Sequence, residues 1–138
     1  MKFVIDTNVV AYYLLGTKPF ADEARGFLTF ARNGLAPVLW EAELANVVSM
    51  AIRTGALAPE EGVARLRMAA QLGIESVATK PLCQGALLRS VATGVAVYDT
   101  LFVELAVRAG CPLATFDKAV LKAFPDIANR PGALTGLN

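Results

Sequence analysis

Lys2-Phe3-Val4-Ile5-Asp6-Thr7-Asn8 opens the chain with an apolar run that stops abruptly on three polar residues. A strand with one wet face alternates apolar and polar side chains. An unbroken run suits a strand buried on both faces. Such a strand needs helices above and below it, which points to an α/β fold with a mainly parallel sheet. In these sheets, sites form outside the carboxyl ends of the strands, where strand order reverses. Asp6 follows the first strand directly and so stands where a site is expected.

Working outward, short apolar runs alternate with helical patterns. Val9–Leu15 reads as a helix stopped by Gly16, and Phe20–Arg32 as a second helix forming a hairpin with it. Leu35–Leu39 is a short strand. Trp40–Thr54 is an amphipathic helix, with Leu44, Val47, Val48, Ala51 and Ile52 at i, i+3, i+4, i+7 and i+8, and Gly55 closing it. Pro59–Leu72 is a helix with Pro59 in its first turn and Gly73 after its end. Ile74–Ala78 suits a strand, and Pro81–Thr93 and Val97–Ala109 suit two helices split at Gly94. Leu113–Phe116 is a strand set off by Gly110 and Pro112, and Lys118–Phe124 a short helix. The tail from Asp126 is expected to carry one edge strand and then fray.

The 138 residues are expected to form one domain, which buries roughly two-thirds of its unfolded surface and needs no disulfide to fold. Hydrophobic residues make up 55% of the chain, an excess that calls for a thick core and a face covered by another chain. With 13 basic and 12 acidic residues the net charge is +1, so no basic footprint announces a nucleic-acid binder. Cys83 and Cys111 have no metal-ligand or redox spacing and fit a reducing cytosol. The absence of histidine removes Ser-His and Cys-His catalysis and the usual zinc sites. Asp6 interrupts the first apolar run too early for a signal peptide, and Val9–Leu15 is far short of the ~20 residues that span a membrane. A cytoplasmic protein is expected.

Any catalysis must then rest on carboxylates. Asp6 also suits capping the helix near Val9, a role Asn8 could share, and Asp117 taken alone reads as the cap of the helix from Lys118. Glu43 and Asp99 are harder to explain that way. Glu43 lies at the edge of its helix's apolar stripe, beside Asn46, Val47 and Met50. Asp99 shares a face with Phe102, Val103 and Ala106, while Glu104 and Arg108 form an i, i+4 pair expected on the outer face. An unpaired inward carboxylate costs several kcal/mol or becomes neutral. A divalent cation converts a repelling cluster into a ligand set, and all-oxygen ligands select Mg²⁺ or Mn²⁺ over Zn²⁺.

Four stretches carry a resemblance: Phe3-Val-Ile-Asp6-Thr7-Asn8, Ala36-Pro-Val-Leu-Trp40-Glu-Ala-Glu43-Leu-Ala-Asn46, Tyr98-Asp99-Thr-Leu-Phe102-Val-Glu-Leu-Ala106 and Pro112-Leu-Ala-Thr115-Phe-Asp117. Each is weak alone. In this order and spacing they resemble the PIN domain and, within it, the VapC toxins of toxin–antitoxin pairs. The resemblance spans nearly the whole chain. It implies a three-layer α/β/α sandwich and a Mg²⁺-dependent endoribonuclease, with Mn²⁺ a plausible substitute. In similar proteins the acids matching Asp6 and Asp99 hold the metal most directly, and those matching Glu43 and Asp117 complete the pocket. Thr7, Asn8, Asn46 and Thr115 match supporting positions. Thr100 stands where many relatives have Ala and is expected to be harmless. Lys118 could contact a phosphate or simply begin a solvated helix.

The implied reaction is in-line hydrolysis of a phosphodiester by a metal-activated water, leaving a 5′-phosphate and a 3′-hydroxyl. It does not use the RNA 2′-OH, so preference for RNA must come from binding shape. The implied partners are RNA, a VapB-like antitoxin on the Val9–Leu15 and Phe20–Phe30 hairpin, and a second copy in a homodimer. Two rivals remain. An aspartyl phosphatase using Asp6 as nucleophile wants an acid where Asn8 stands. A PIN-like module that binds RNA or protein without cutting would not need its acids intact.

Overall fold

The computed structural model describes residues 1–136. Its centre is a five-stranded, wholly parallel sheet of β1 (Lys2–Ile5), β2 (Asn33–Pro37), β3 (Glu75–Val77), β4 (Leu113–Ala114) and β5 (Ala128–Asn129), in the order β3-β2-β1-β4-β5. The chain lays down β1, β2 and β3 in one direction, then crosses back to place β4 on the other side of β1. Strand order therefore reverses between β1 and β4. Phe3, Val4 and Ile5 are all buried, as a central strand covered on both faces requires.

The helices are α1 (Thr7–Leu15), α2 (Ala21–Phe30), α3 (Leu39–Arg53), α4 (Pro59–Ala70), α5 (Cys83–Thr93), α6 (Val97–Ala109), α7 (Lys118–Ala123) and α8 (Pro131–Leu134). Six of them fall into two groups, α1 to α4 and α5 with α6, with the sheet between them in an α/β/α sandwich, while α8 packs on α2 and α7 on β5. Helix α6 crosses β1, β2 and β4 and is buried continuously from Thr100 to Ala106. No single helix among the described residues is long and apolar enough to cross a membrane.

Several expectations shift. Helix α2 ends at Phe30 rather than Arg32, because Ala31 is already extended to lead into β2 at Asn33. Strand β2 stops at Pro37, and Leu39 opens α3 instead of closing a strand. The tail does not fray after its edge strand. Pro131 and Leu134 of α8 are buried, and Glu23 of α2 accepts from the Arg130 guanidinium at 2.6 Å and from the Gly132 N–H at 2.9 Å. The last two residues, 137 and 138, lie outside the described residues.

Glu104 is also not on an outer face. Its pair with Arg108 forms, at 2.8 Å, but α5 packs over it and Arg89 adds a second contact at 2.9 Å. Gly85 makes the room, since a Cβ there would lie 2.3 Å from the Glu104 carboxyl carbon. Beside it, Thr100 is fully buried and donates to the carbonyl of Ala86 at 2.7 Å, so its hydroxyl ties α6 to α5.

Candidate acidic site at the strand crossover

The Asp6 side chain behaves unlike a helix cap. Asp6 occupies the N-cap position of α1 with extended backbone, yet its carboxylate makes no capping hydrogen bond. Instead it accepts from the Thr115 hydroxyl at 2.7 Å, just beyond β4. Asn8 bridges the same gap. Its amide reaches Asp6 at 3.5 Å and Thr115 at 3.4 Å, and its carbonyl oxygen accepts from the Phe116 N–H at 3.2 Å. The polar residues that end β1 are thus bound to the residues that end β4, across the reversal of strand order.

Two helices bring further acids. Glu43 of α3 accepts from the Thr7 hydroxyl at 2.7 Å. Asp99 stands in the first turn of α6. Asp6, Glu43 and Asp99 line one cavity of about 300 Å³. Asp117 does not line it. Its carboxylate caps α7 by accepting from the Val120 N–H at 3.0 Å, so the bland reading of this residue is structurally correct. Asp117 is nevertheless close enough for its charge to disfavour ionisation of Asp99.

The electrostatics of the three cavity acids run in one direction. Burial pushes the Asp6 carboxyl from its ordinary 3.8 up to about 7, with Asp99 and Glu43 adding to the rise and the Thr115 hydroxyl opposing it. Burial and the charges of Asp117 and Glu43 push Asp99 up to about 6. Burial raises Glu43 as well, against the pull of the Thr7 hydroxyl. Among the described residues no Lys or Arg contributes to any of these shifts. A cluster of acids with no protein cation is short of positive charge, and a divalent cation with oxygen preference fits that deficit. No group of three or more such side chains among the described residues forms a preset metal cluster. Mg²⁺ does not require one, because it takes one or two carboxylates directly and keeps several waters. The donor set therefore fits such an ion.

Not every residue singled out from sequence arrives here. Thr7, Asn8 and Thr115 do, each bonded to an acid or a neighbour of one. Asn46 does not. It is exposed on α3, and its amide reaches only the Met50 sulfur at 4.0 Å. Lys118 is exposed at the start of α7. The cavity also has an apolar part that sequence reading missed, formed by Ala11, Tyr12, Leu15 and Val47 with Thr17. A signal was present. Residues 8, 11, 12 and 15 follow i, i+3, i+4 and i+7 on α1, and residues 43 and 47 follow i, i+4 on α3. A larger hollow of about 440 Å³ between α3, α4 and β3 gathers one carboxylate, Glu41, among mostly apolar side chains. Size alone does not locate the chemistry.

A doubly wound parallel sheet with an acidic cavity at its crossover defines the class: an α/β/α domain with a metal-compatible carboxylate site. The PIN domain family model matches residues 3–127, and the chain belongs to that family. PIN domains are generally nucleases and typically use divalent metals. Among solved structures, the fold is similar to a chain in the crystal structure of VapBC2 from Rickettsia felis bound to a DNA fragment from its promoter. The TM-score is 0.65 at 16% identity, covering 94% of this chain and 98% of that one. No curated protein matches by sequence.

Proposed function

We propose that this chain is a single PIN domain over residues 1–138 that acts as a metal-dependent endoribonuclease, the VapC-like toxin of a toxin–antitoxin pair. The observation that carries the reading is Asp6. It is a buried carboxylate at the end of the first strand that makes no capping hydrogen bond and, among the described residues, faces only other acids and polar neutral groups.

Asp6 and Asp99 would hold the cation, Mg²⁺ or Mn²⁺, with Glu43 and Asp117 completing the site through water. When bound, the ion supplies charge neutralisation at the phosphate and an acidified water for in-line attack. The protein's own part is positioning. The Thr115 hydroxyl and the Asn8 amide fix the Asp6 carboxylate, and the Thr7 hydroxyl fixes Glu43. Asp117 holds α7 in place while adding negative potential beside Asp99. Lys118, at the exposed start of α7, would meet a phosphate of the RNA backbone.

Two partners follow. The similarity to a chain of a VapBC2 complex supports a VapB-like antitoxin. Part of the α1–α2 hairpin is core, since Val9, Val10, Leu14 and Phe27 are buried. The partly exposed Tyr13 and Leu28 remain for an antitoxin. A second copy would cover α5, where Leu87 is 53% exposed, Leu88 63% and Val91 78%. This exposed apolar face accounts for part of the apolar excess. Cys83 and Cys111 form no disulfide, which is compatible with the cytoplasmic setting proposed for the chain.

The test is cleavage of RNA by the purified chain. It should cut in Mg²⁺ or Mn²⁺ and stop in EDTA. Asp6→Ala and Asp99→Ala should abolish cutting while circular dichroism shows the fold intact. An Asp99→Ala protein that cuts like wild type would remove the metal-site assignment.

A further inference from the structure

Tyr12 brings an aromatic side chain to the lining of the acidic cavity. Its ring is stacked on Phe20, with centroids 4.7 Å apart and planes at 17°, and touches Phe116 at 5.4 Å. Phe20 and Phe116 in turn pack at 5.0 Å, and the Arg130 guanidinium lies over both, 4.8 Å from Phe116 and 5.7 Å from Phe20. Glu23 holds that guanidinium in place. Stacking on Phe20 occupies one face of Tyr12, and the ring lines the same cavity as Asp6, Glu43 and Asp99. Ala11, Leu15 and Val47 complete an apolar lobe that is continuous with the carboxylates.

We infer that this lobe is a nucleobase subsite in which Tyr12 stacks on the base of the nucleotide flanking the scissile phosphate. The inference rests on the ribonuclease reading above and names what selects the substrate within it. Three observations carry it. The lobe and the acids share one cavity, so whatever fills the lobe is next to the reacting bond. The platform is rigid, because Phe20, Phe116 and Arg130 back it from behind. Its lining is aromatic and aliphatic, which suits the π-face of any base and reads little sequence. A base can enter such a cavity only when it is unpaired, since a base inside an A-form helix presents no free face. Tyr12 is thus assigned as the side chain that holds the flanking base beside the cut.

The test pairs a protein change with a substrate change. A short RNA that wild type cuts at one bond is compared with the same RNA lacking the base of one flanking nucleotide, 5′ or 3′ in turn. For wild type, one of the two abasic RNAs should lose about 5- to 150-fold in kcat/KM, mainly through KM. Tyr12→Ala should lose a similar factor on the intact RNA and little more on that abasic one. Tyr12→Phe should keep the wild-type discrimination, which separates loss of the platform from general damage to the fold. If the Tyr12→Ala and abasic losses multiply, the ring does not touch the base and the proposal fails. An unaltered RNA profile for Tyr12→Ala also overturns it and leaves the lobe to a protein partner's side chain. A wild-type chain that cuts no RNA in Mg²⁺ or Mn²⁺ defeats the ribonuclease reading instead. The subsite is then decided by fluorescence anisotropy of labelled single-stranded RNA in EDTA, where equal affinity of wild type and Tyr12→Ala would overturn it.

Discussion

Asp99 and Glu104 sit on the same helix, α6, and the protein treats them in opposite ways. Glu104 receives two guanidinium groups, from Arg89 on α5 and Arg108 on its own helix. Burial alone would raise its pKa, but the hydrogen bonds from Arg108 and Arg89 more than offset that and hold it below the ordinary 4.5. Asp99 receives no cation from the described residues and is pushed up to about 6 by burial and by neighbouring acids. One carboxylate is neutralised from within and locks α5 to α6. The other belongs to a group of acids to which no Lys or Arg among the described residues contributes a compensating charge. A buried charge left unpaired by the fold is the clearest local sign of a ligand, because stability alone would have removed or paired it.

The largest way to break this contrast is through activity. Asp99→Ala should abolish measurable RNA cleavage, a loss of at least about 10³-fold or about 4 kcal/mol of transition-state stabilisation. Glu104→Gln, once folded, should leave the rate within about threefold, because Glu104 serves packing and not the site. The comparison is read from initial rates at saturating Mg²⁺. Comparable losses in both variants would erase the distinction between the two regions. Next in size come the groups that orient the acids. Thr115→Val removes the 2.7 Å hydrogen bond to Asp6 and should cost about 10- to 100-fold in rate or metal affinity. Thr100→Val, which removes a hydroxyl bonded only to backbone, should affect melting and not metal titration.

How far all this could be read in advance depended on whether the cause was local. Helix α6 runs from Val97 to Ala109 as its pattern indicates, because Gly94 and Gly110 punctuate it within its own sequence. The central strand and the crossover site were likewise legible, since an unbroken apolar run ending in Asp6 has few other readings. Glu104 was misplaced because a helix considered alone has one polar side, and nothing in its sequence reveals that α5 closes over it at Gly85. Asn46 was expected near Glu43 from family spacing, but i+3 on α3 turns it toward solvent, while Val47 at i+4 enters the cavity. Tyr12 was passed over because an aromatic residue on an apolar helix reads as core. Only the packing of Phe20 and Phe116 behind it shows Tyr12 at the edge of the acidic cavity.

The same contrast predicts opposite pH dependence of stability. The unfolded chain ionises Asp6 near 3.8, whereas the folded, metal-free chain holds its proton until about 7. Between those values the native state binds more protons, so stability falls as pH rises through the window. Asp6→Asn should therefore raise metal-free stability at pH 8 by roughly 1–2 kcal/mol, a few degrees in Tm. Mg²⁺ should raise the Tm of wild type and not that of the variant. Glu104 has the reverse sign. Its depressed pKa contributes stability above 4.5 that is lost as pH falls through its folded value. Glu104→Ala should cost about 1–3 kcal/mol near neutral pH, at the low end because Arg89 and Arg108 are partly exposed and can turn to water. Urea melts in EDTA across pH 4 to 8 measure both slopes. Parallel slopes for the two variants would show that the regions are not electrostatically distinct.

The smallest effect is expected where the site meets its substrate's backbone. Lys118 begins α7 directly after Asp117 and is exposed, and among the described residues it forms no salt bridge. Lys122 is exposed on the same helix, one turn further from the acids. If Lys118 meets a backbone phosphate, Lys118→Ala should raise KM for RNA about two- to fivefold at low salt, with kcat unchanged and the effect shrinking as salt rises. Lys122→Ala should do neither. Equal effects from both lysines would mean that the helix supplies only a diffuse positive field. A loss confined to Lys118 would extend the acidic site by one phosphate, placing its cationic complement on the protein surface at the end of β4.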